Sequence, residues 1–378
     1  MRALVLGVGR MGTAIAWAMD KFGFHVTGMD TNPEAANNIP FKVNNNPDPK
    51  NEFFIVKDVE DIFAGIVAQK KPDIIISSLP YHQTEEVGTW CVDNGLRYCD
   101  LGGRVDVSAA INEWAEKSTY ARKPVFTDLG LAPGWVNILA EEGYKAVGSK
   151  ATKVGMYVGG LPKWVDMSNP LKYESTWSVD GLINEYADDC EVLENGVLKT
   201  VKGMSGLEHL EVFGAPFEAF FTSGGAAHTI KSMKDRGVLD CYYKTLRYKG
   251  HRNVVNFLIN RCGLEKEVLE KIFVKGCPPS EEGDIVIMKA SVWSGENPSL
   301  VWTRQIQINS DDNFSAMQKA TAFSISSVAK IMAEGKMEGD KDQHRDYWTQ
   351  YPMSLSYSDV PYDEFDKNLN QLGVYSDG

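Results

Sequence analysis

The first thirty residues constrain the fold more than any other stretch. Ala3-Leu4-Val5-Leu6 is a short apolar run suited to a strand buried on both faces, and it leads into Gly7-Val8-Gly9-Arg10-Met11-Gly12, a G-x-G-x-x-G loop. From Thr13 to Phe22 the period becomes helical, with Ile15, Ala16, Met19 and Phe22 able to share a face, and a second apolar strand, His25 to Met29, ends at Asp30. Strand, glycine loop, helix, strand and acid in that order form the pattern of a dinucleotide-binding βαβ unit. Gly7 permits the tight turn, Gly9 leaves the backbone open to a pyrophosphate, and Gly12 lets the helix lie close on the strand. The helix N-terminus, at Arg10 and Met11, offers N–H groups and a partial positive charge to phosphates. Asp30, with Thr31 after it, can accept hydrogen bonds from both ribose hydroxyls and would repel a 2′-phosphate. This favours NAD over NADP, and no arginine occurs within Thr31 to Pro33 to argue otherwise.

The alternation continues beyond Asp30. Phe53 to Val56, Asp73 to Leu79, Arg97 to Asp100 and Pro124 to Asp128 read as strands, separated by helical segments at Val59 to Gln69, Gln83 to Gly95 and Val107 to Glu116. Strands alternating with helices imply right-handed crossovers and a parallel sheet covered on both faces. The expected fold class is therefore α/β, with an N-terminal Rossmann domain, a doubly wound parallel sheet, over residues 1–130. In such sheets ligands lie outside the carboxyl ends of the strands. The segments to inspect are Ser77-Ser78-Leu79-Pro80-Tyr81-His82, Asp100-Leu101-Gly102-Gly103-Arg104 and Asp128 to Gly134.

At 378 residues the chain exceeds what one core usually serves. From about Ala151 the pattern shifts to short alternating runs, at Lys153 to Tyr157, Glu191 to Leu193, Val197 to Val201, Ile285 to Val292 and Val301 to Ile308, with Asn195-Gly196 as a hairpin turn. These predict a second, α+β domain over 131–314, built on an open, mainly antiparallel sheet for substrate binding and self-association. Ser315 to Glu334 returns to helical period and is expected to complete the first domain, followed by a tail over 335–378 with a short helix from Tyr362 to Leu372.

A formal charge of −12, spread along the chain, makes nucleic acid or an anionic membrane an improbable partner. No apolar run approaches the length of a membrane span, and Met1-Arg2 leads straight into a strand, so a cytoplasmic protein is expected. The six cysteines show no metal-type spacing and read as buried thiols, and no metal site is expected. Two apolar strands of the second domain, Lys153 to Tyr157 and Val301 to Ile308, leave edges that a second copy could cover, which predicts a homo-oligomer, most simply a dimer.

Further motifs follow one another in a fixed order: Leu79-Pro80-Tyr81, Tyr98 to Gly103, Gly130-Leu131-Ala132-Pro133-Gly134, Gly159 to Pro162, Asn169 to Tyr173, Trp177 to Tyr186, Glu218 to Gly225 and Lys244 to His251. In this order, from Met1 to about His251, the chain resembles the saccharopine dehydrogenase superfamily, and most of all its lysine 6-dehydrogenase branch. The resemblance implies an NAD(P)-dependent oxidation of a C–N bond on an amino acid. The lysine-type enzymes remove the side-chain amine as ammonia, and relatives form or split a secondary amine, as in saccharopine, opines and carboxynorspermidine.

On that footing Arg247 becomes the clamp for a substrate carboxylate, since guanidinium pairs bidentately with carboxylate. Tyr81, Asp100 and His251 are the candidates for acid, base or proton shuttle. Trp177, Tyr173 and His82 are candidates for the substrate site, and Ser78, Leu79, Pro80, Leu101 and Gly102 join the glycine loop as cofactor contacts. Arg104 departs from the neutral residue expected of lysine-type enzymes. A cation there is awkward for a substrate amine and congenial to an extra carboxylate, which keeps the secondary-amine reading open. A nicotinamide-binding regulator without turnover is the alternative from outside enzymology.

Overall fold

The structure, a computed structural model, describes residues 1–38, 51–56, 59–118, 123–166, 168–279, 282–295, 299–338 and 354–375. The chain forms two compact units, one from Met1–Trp135 with Gln318–Tyr375 and the other from Val136–Met317.

In the first unit, β1 (Arg2–Leu6), β2 (His25–Asp30), β3 (Glu52–Ile55), β4 (Ile74–Ser77), β5 (Tyr98–Asp100) and β6 (Val125–Phe126) form a parallel sheet in the order β3-β2-β1-β4-β5-β6. The order reverses beside β1, so the carboxyl end of that strand is the topological switch point where such sheets bind ligands. Leu4, Val5, Leu6, Ile74, Ile75 and Ile76 are buried, as central strands covered on both faces require. The connections are α1 (Arg10–Lys21), α2 (Val59–Lys70), α3 (Tyr81–Asp93) and α4 (Val105–Lys117). Ala14, Ala16 and Ala18 are buried in α1, and their small side chains let that helix settle close to the sheet.

The second unit opens from α5 (Trp135–Val147) and is built on strands β7 (Ala151–Pro162), β8 (Cys190–Glu194), β9 (Val197–Val201), β10 (Glu208–Val212), β11 (Ala215–Phe221), β12 (Asp240–Tyr248), β13 (Asp284–Ser294) and β14 (Ser299–Asn309). The main path runs β10-β11-β12-β7-β13-β14, and the β8-β9 hairpin joins at β12. The sheet is mixed: β12 pairs with β7 in parallel, because the chain returns to β7's side through a long crossover, while the other pairings are antiparallel. Asn195 and Gly196 both adopt positive φ, 52° and 76°, the backbone a two-residue type I′ hairpin needs. Helices α6 (Val179–Ala187), α7 (Thr229–Asp235), α8 (His251–Asn256) and α9 (Lys266–Gly276) belong to this unit. Leu182, Ile183 and Tyr186 of α6 bury with Leu269 and Phe273 of α9 in one apolar cluster, at about 1.5–3 kcal/mol for each large side chain taken from water.

The periodic segment from Ser315 is not a uniform helix. It runs as α10 (Ala316–Gln318), a π-helical turn at Lys319–Phe323, and α11 (Ser324–Ala333). Phe323 stacks on Trp17 of α1 with centroids 5.4 Å apart. The terminal helix is α12 (Tyr362–Gln371), and the part of the tail expectation covering 339–353 lies outside the described residues. Among the cysteines Cys262 is exposed rather than buried, since it follows the π-helical turn Phe257–Arg261 at the surface.

Candidate active site

The glycine loop has the form a dinucleotide site requires. Gly7 has φ +76° and donates its N–H to Met29 O at 2.8 Å, and a Cβ on Gly12 would stand 1.8 Å from Gly7 O. A Cβ on Gly9 would meet no protein atom within 4 Å, so packing does not demand glycine there, whereas close approach of a ligand does. No side chain caps the N-terminus of α1. Asp30 accepts hydrogen bonds from the N–H of Val8 at 2.7 Å and of Asn32 at 2.8 Å, which holds its carboxylate against the loop at the end of β2, with Thr31 exposed beside it. These residues fit a bound NAD(P).

Ser78 braces the loop by donating its hydroxyl to Gly7 O at 2.7 Å. Leu79 packs under Gly7, and Pro80 precedes the first turn of α3. Tyr81 opens that helix, 42% exposed, with the guanidinium of Arg104 5.6 Å from its ring centroid. His82 follows it, edge-on to the Tyr81 ring. Arg104 itself forms a bidentate pair with Asp106, through Nε at 2.9 Å and Nη2 at 2.7 Å. At the carboxyl end of β5, Asp100 is 1% exposed, and its Oδ1 accepts the N–H groups of Gly102 at 2.8 Å and Asp128 at 3.1 Å. Burial drives its carboxyl up to about 6. One oxygen of this enclosed acid is committed to the backbone of the Leu101–Gly102 turn and of Asp128.

The second unit centres on Arg247. It is 2% exposed on β12, its Nε donates to Tyr186 Oη at 2.7 Å, and its Nη1 donates to Leu246 O at 2.8 Å. The rings of Tyr173 and Tyr186 lie 4.8 and 5.6 Å from the guanidinium carbon. Burial works against the charge, but Tyr186, Tyr173 and Glu185 together hold the guanidinium above its ordinary value. Among the described residues no carboxylate forms an ion pair with it. His251 is fully buried: its Nδ1 lies 2.6 Å from Leu171 O and can only donate there, so Nε2 accepts, and Tyr186 Oη donates to it at 3.0 Å. The order is thus Arg247 to Tyr186 to His251 to Leu171, each donating to the next. Burial pushes His251 down to about 3, so it stays neutral. Both its nitrogens are engaged, which fits an orienting role better than the expected proton shuttle. Trp177 packs over Gly181 at the start of α6.

Two further groups lie within stretches that the sequence singles out, Trp177 to Tyr186 and Asp128 to Gly134, without being marked there themselves. Glu185, half-buried beside Arg247, is driven up to about 8 by burial. Asp128 is driven up to about 7 by burial and by Asp100. Among the described residues no group of three or more His, Cys, Asp or Glu side chains could hold a metal ion, and no helix is long and apolar enough to cross a membrane.

A family model for the saccharopine dehydrogenase NADP-binding domain matches residues 3–130, and one for the saccharopine dehydrogenase C-terminal domain matches 130–345. The chain belongs to the saccharopine dehydrogenase family. Saccharopine dehydrogenase [NADP(+), L-glutamate-forming] of Schizosaccharomyces pombe is 26% identical over 57% of this chain and 49% of its own length. Mitochondrial α-aminoadipic semialdehyde synthase of Mus musculus is 27% identical over 49% of this chain and 20% of its own length. The chain thus spans about half, or less, of these relatives. Apo saccharopine dehydrogenase (L-Glu forming) from Saccharomyces cerevisiae shares the fold, with a TM-score of 0.72 at 16% identity over 99% of this chain and 98% of that one. The resemblance therefore holds for the saccharopine dehydrogenase family and its NAD(P)-binding domain, whereas its narrowing to the lysine 6-dehydrogenase branch has no support among these relatives, which are named for saccharopine and aminoadipic semialdehyde.

Proposed function

We propose that this chain is an NAD-linked dehydrogenase that splits or forms a carboxylated secondary amine of the saccharopine or opine type. The observation that carries the reading is Arg247, a buried guanidinium that donates to a hydroxyl and a carbonyl and forms no ion pair among the described residues, although Glu185 lies near enough to feel its charge. Such a group is a receptor for a substrate carboxylate. Tyr186 and His251 lock the guanidinium plane, and Tyr173 covers one face of it. A bound NAD(P) would supply the hydride acceptor for oxidation of the carbon that bears nitrogen. Glu185, beside Arg247 and with its carboxyl pushed up to about 8 by burial, is a candidate to take up and return a proton. The acid at Asp30 supports NAD, although the matched family model and the yeast relative are named for NADP.

A substrate panel followed by NADH fluorescence tests the reading. Saccharopine and other carboxylated secondary amines should be oxidised with NAD, and keto acids with amino acids reduced with NADH. Turnover of lysine with release of ammonia, and none of saccharopine, would return the lysine-type reading. Binding of NADH with no turnover of any substrate would make the chain a regulator.

A further inference from the structure

The carbonyl groups of the glycine loop are tied down by side chains. Gly7 O accepts the hydroxyl of Ser78 at 2.7 Å, and the hydroxyl of Thr13 donates to Val8 O and Gly9 O at 3.1 and 2.7 Å. The next carbonyl, Arg10 O, accepts the side-chain amide of Gln318 at 2.8 Å, across 308 residues of chain. Four successive carbonyls are thus met by side-chain donors. A trans peptide is planar, so a carbonyl tied on one side directs the N–H of the following residue to the other. Gly9 and Arg10 are exposed, no side chain caps α1, and a Cβ on Gly9 would meet no protein atom within 4 Å, which leaves the N-terminus of α1 open to an anion.

Gln318 is brought there by the π-helical turn Lys319–Phe323. Arg10 and Trp17, seven residues apart on α1, share one face of that helix. Gln318 and Phe323 are five residues apart, an interval that in an α-helix sets two side chains about 140° from each other. A π turn closes i→i+5 and returns them to one side. Gln318 therefore reaches Arg10 O while Phe323 stacks on Trp17, with centroids 5.4 Å apart and rings inclined by 19°. The break in an otherwise helical segment serves its contact with α1.

We propose that Gln318 is a positioning residue for the dinucleotide. By tying Arg10 O it fixes the Arg10–Met11 peptide, and by polarising that peptide it strengthens the Met11 N–H as a donor to a pyrophosphate. The inference rests on NAD(P) binding by the matched family domain and not on the amine substrate proposed above.

The test uses the full chain with Gln318→Leu, which removes the donor at similar size, and Gln318→Glu, which puts an acceptor in its place. Three readouts are taken: Kd for NADH and for ADP-ribose, a thermal melt, and the amide spectrum of the unliganded protein labelled with 15N-methionine, where Met11 is identified by its absence in Met11→Leu. Gln318→Leu should weaken NADH and ADP-ribose alike by about fivefold, as for one lost neutral hydrogen bond, with Tm little changed and the Met11 resonance moved. Gln318→Glu should weaken both by about thirtyfold, because a carboxylate there repels the carbonyl and the pyrophosphate. Parent-like Kd values in both variants, or an unmoved Met11 resonance, would overturn the proposal, and a loss of affinity that only follows a fall in Tm would reduce Gln318 to packing. A parent protein that binds neither NADH nor ADP-ribose would overturn it together with cofactor binding. If the expected pattern holds and no amine substrate is turned over, Gln318 keeps its role and only the proposed function falls.

Discussion

In the first unit Asp100 and Asp128 are buried acids with no base beside them, while in the second Arg247 is a buried base with no acid in an ion pair among the described residues. The acids have an exit that the arginine lacks. A carboxylate denied solvent can take up a proton and become neutral, and both of these are raised towards neutrality. A guanidinium cannot be discharged within any accessible pH, so the fold surrounds it with hydroxyl and carbonyl acceptors and two aromatic rings. Burial of charge therefore ends in acids that can discharge in one unit and in a cation that cannot in the other.

The largest expected effect breaks the receptor half of this comparison. Arg247→Ala should raise KM for a carboxylated substrate about a hundredfold, ~3 kcal/mol, and leave the NADH Kd unchanged, because removing one partner strands the substrate carboxylate. Arg247→Lys should recover only part of the loss, since an ammonium cannot replace the planar fork. Steady-state kinetics beside a fluorescence titration check both, and a normal KM with lowered thermal stability would make Arg247 structural.

The acid half breaks through pH. Asp128 has a folded value near 7, above the ordinary 3.8, so its contribution is fully present below about pH 4 and is lost as pH rises towards 7. Asp128→Asn removes that loss. It should raise Tm at pH 8 by roughly 5 °C, on the order of 2 kcal/mol, with little change at pH 4, as scanning calorimetry at the two pH values would register.

A smaller effect is expected at the cofactor loop. Asp30→Ala combined with Thr31→Arg should abolish a preference for NAD of at least tenfold in kcat/KM, ~1.4 kcal/mol. Equal use of NAD and NADP by the parent protein would refute the premise. The smallest concerns the support of Arg247. Ser178 caps α6 by accepting the N–H of Gly181 at 3.2 Å, and α6 carries Glu185 and Tyr186. Ser178→Ala should lower stability by about 1 kcal/mol and raise KM only slightly, in a thermal melt read beside the kinetics.

The glycine loop and the parallel sheet were legible because local chemistry dictates them: a turn needing positive φ at Gly7 and central strands with unbroken apolar runs such as Ile74-Ile75-Ile76. The mixed order of the second sheet was not. In β12, Tyr242-Tyr243-Lys244-Thr245-Leu246-Arg247 lacks polar alternation, since neighbouring side chains of both faces are buried, and its parallel pairing to β7 depends on contacts about ninety residues away in the chain. Arg247 itself could be named from its motif, yet its partners Tyr186 and His251 come together only through folding, from α6 and α8. Asp128 could be placed in the segment after the sixth strand, but its left-handed backbone and its burial have no letter in the sequence.

The interlock of Gly102 with Asp128 also bears on how relatives of this chain can diverge. A side chain at 102 collides with the carboxylate at 128 as well as with its own backbone angle, so drift at the two positions is coupled. Glycine at 102 is favoured by φ +76° whatever stands at 128, and an acid at 128 adds a contact, 2.1 Å from a built Cβ to Asp128 Oδ1, that the carboxylate would have to turn aside to relieve. Change at 102 should therefore be rarer than change at 128 and, where it occurs, should come with a smaller side chain at 128.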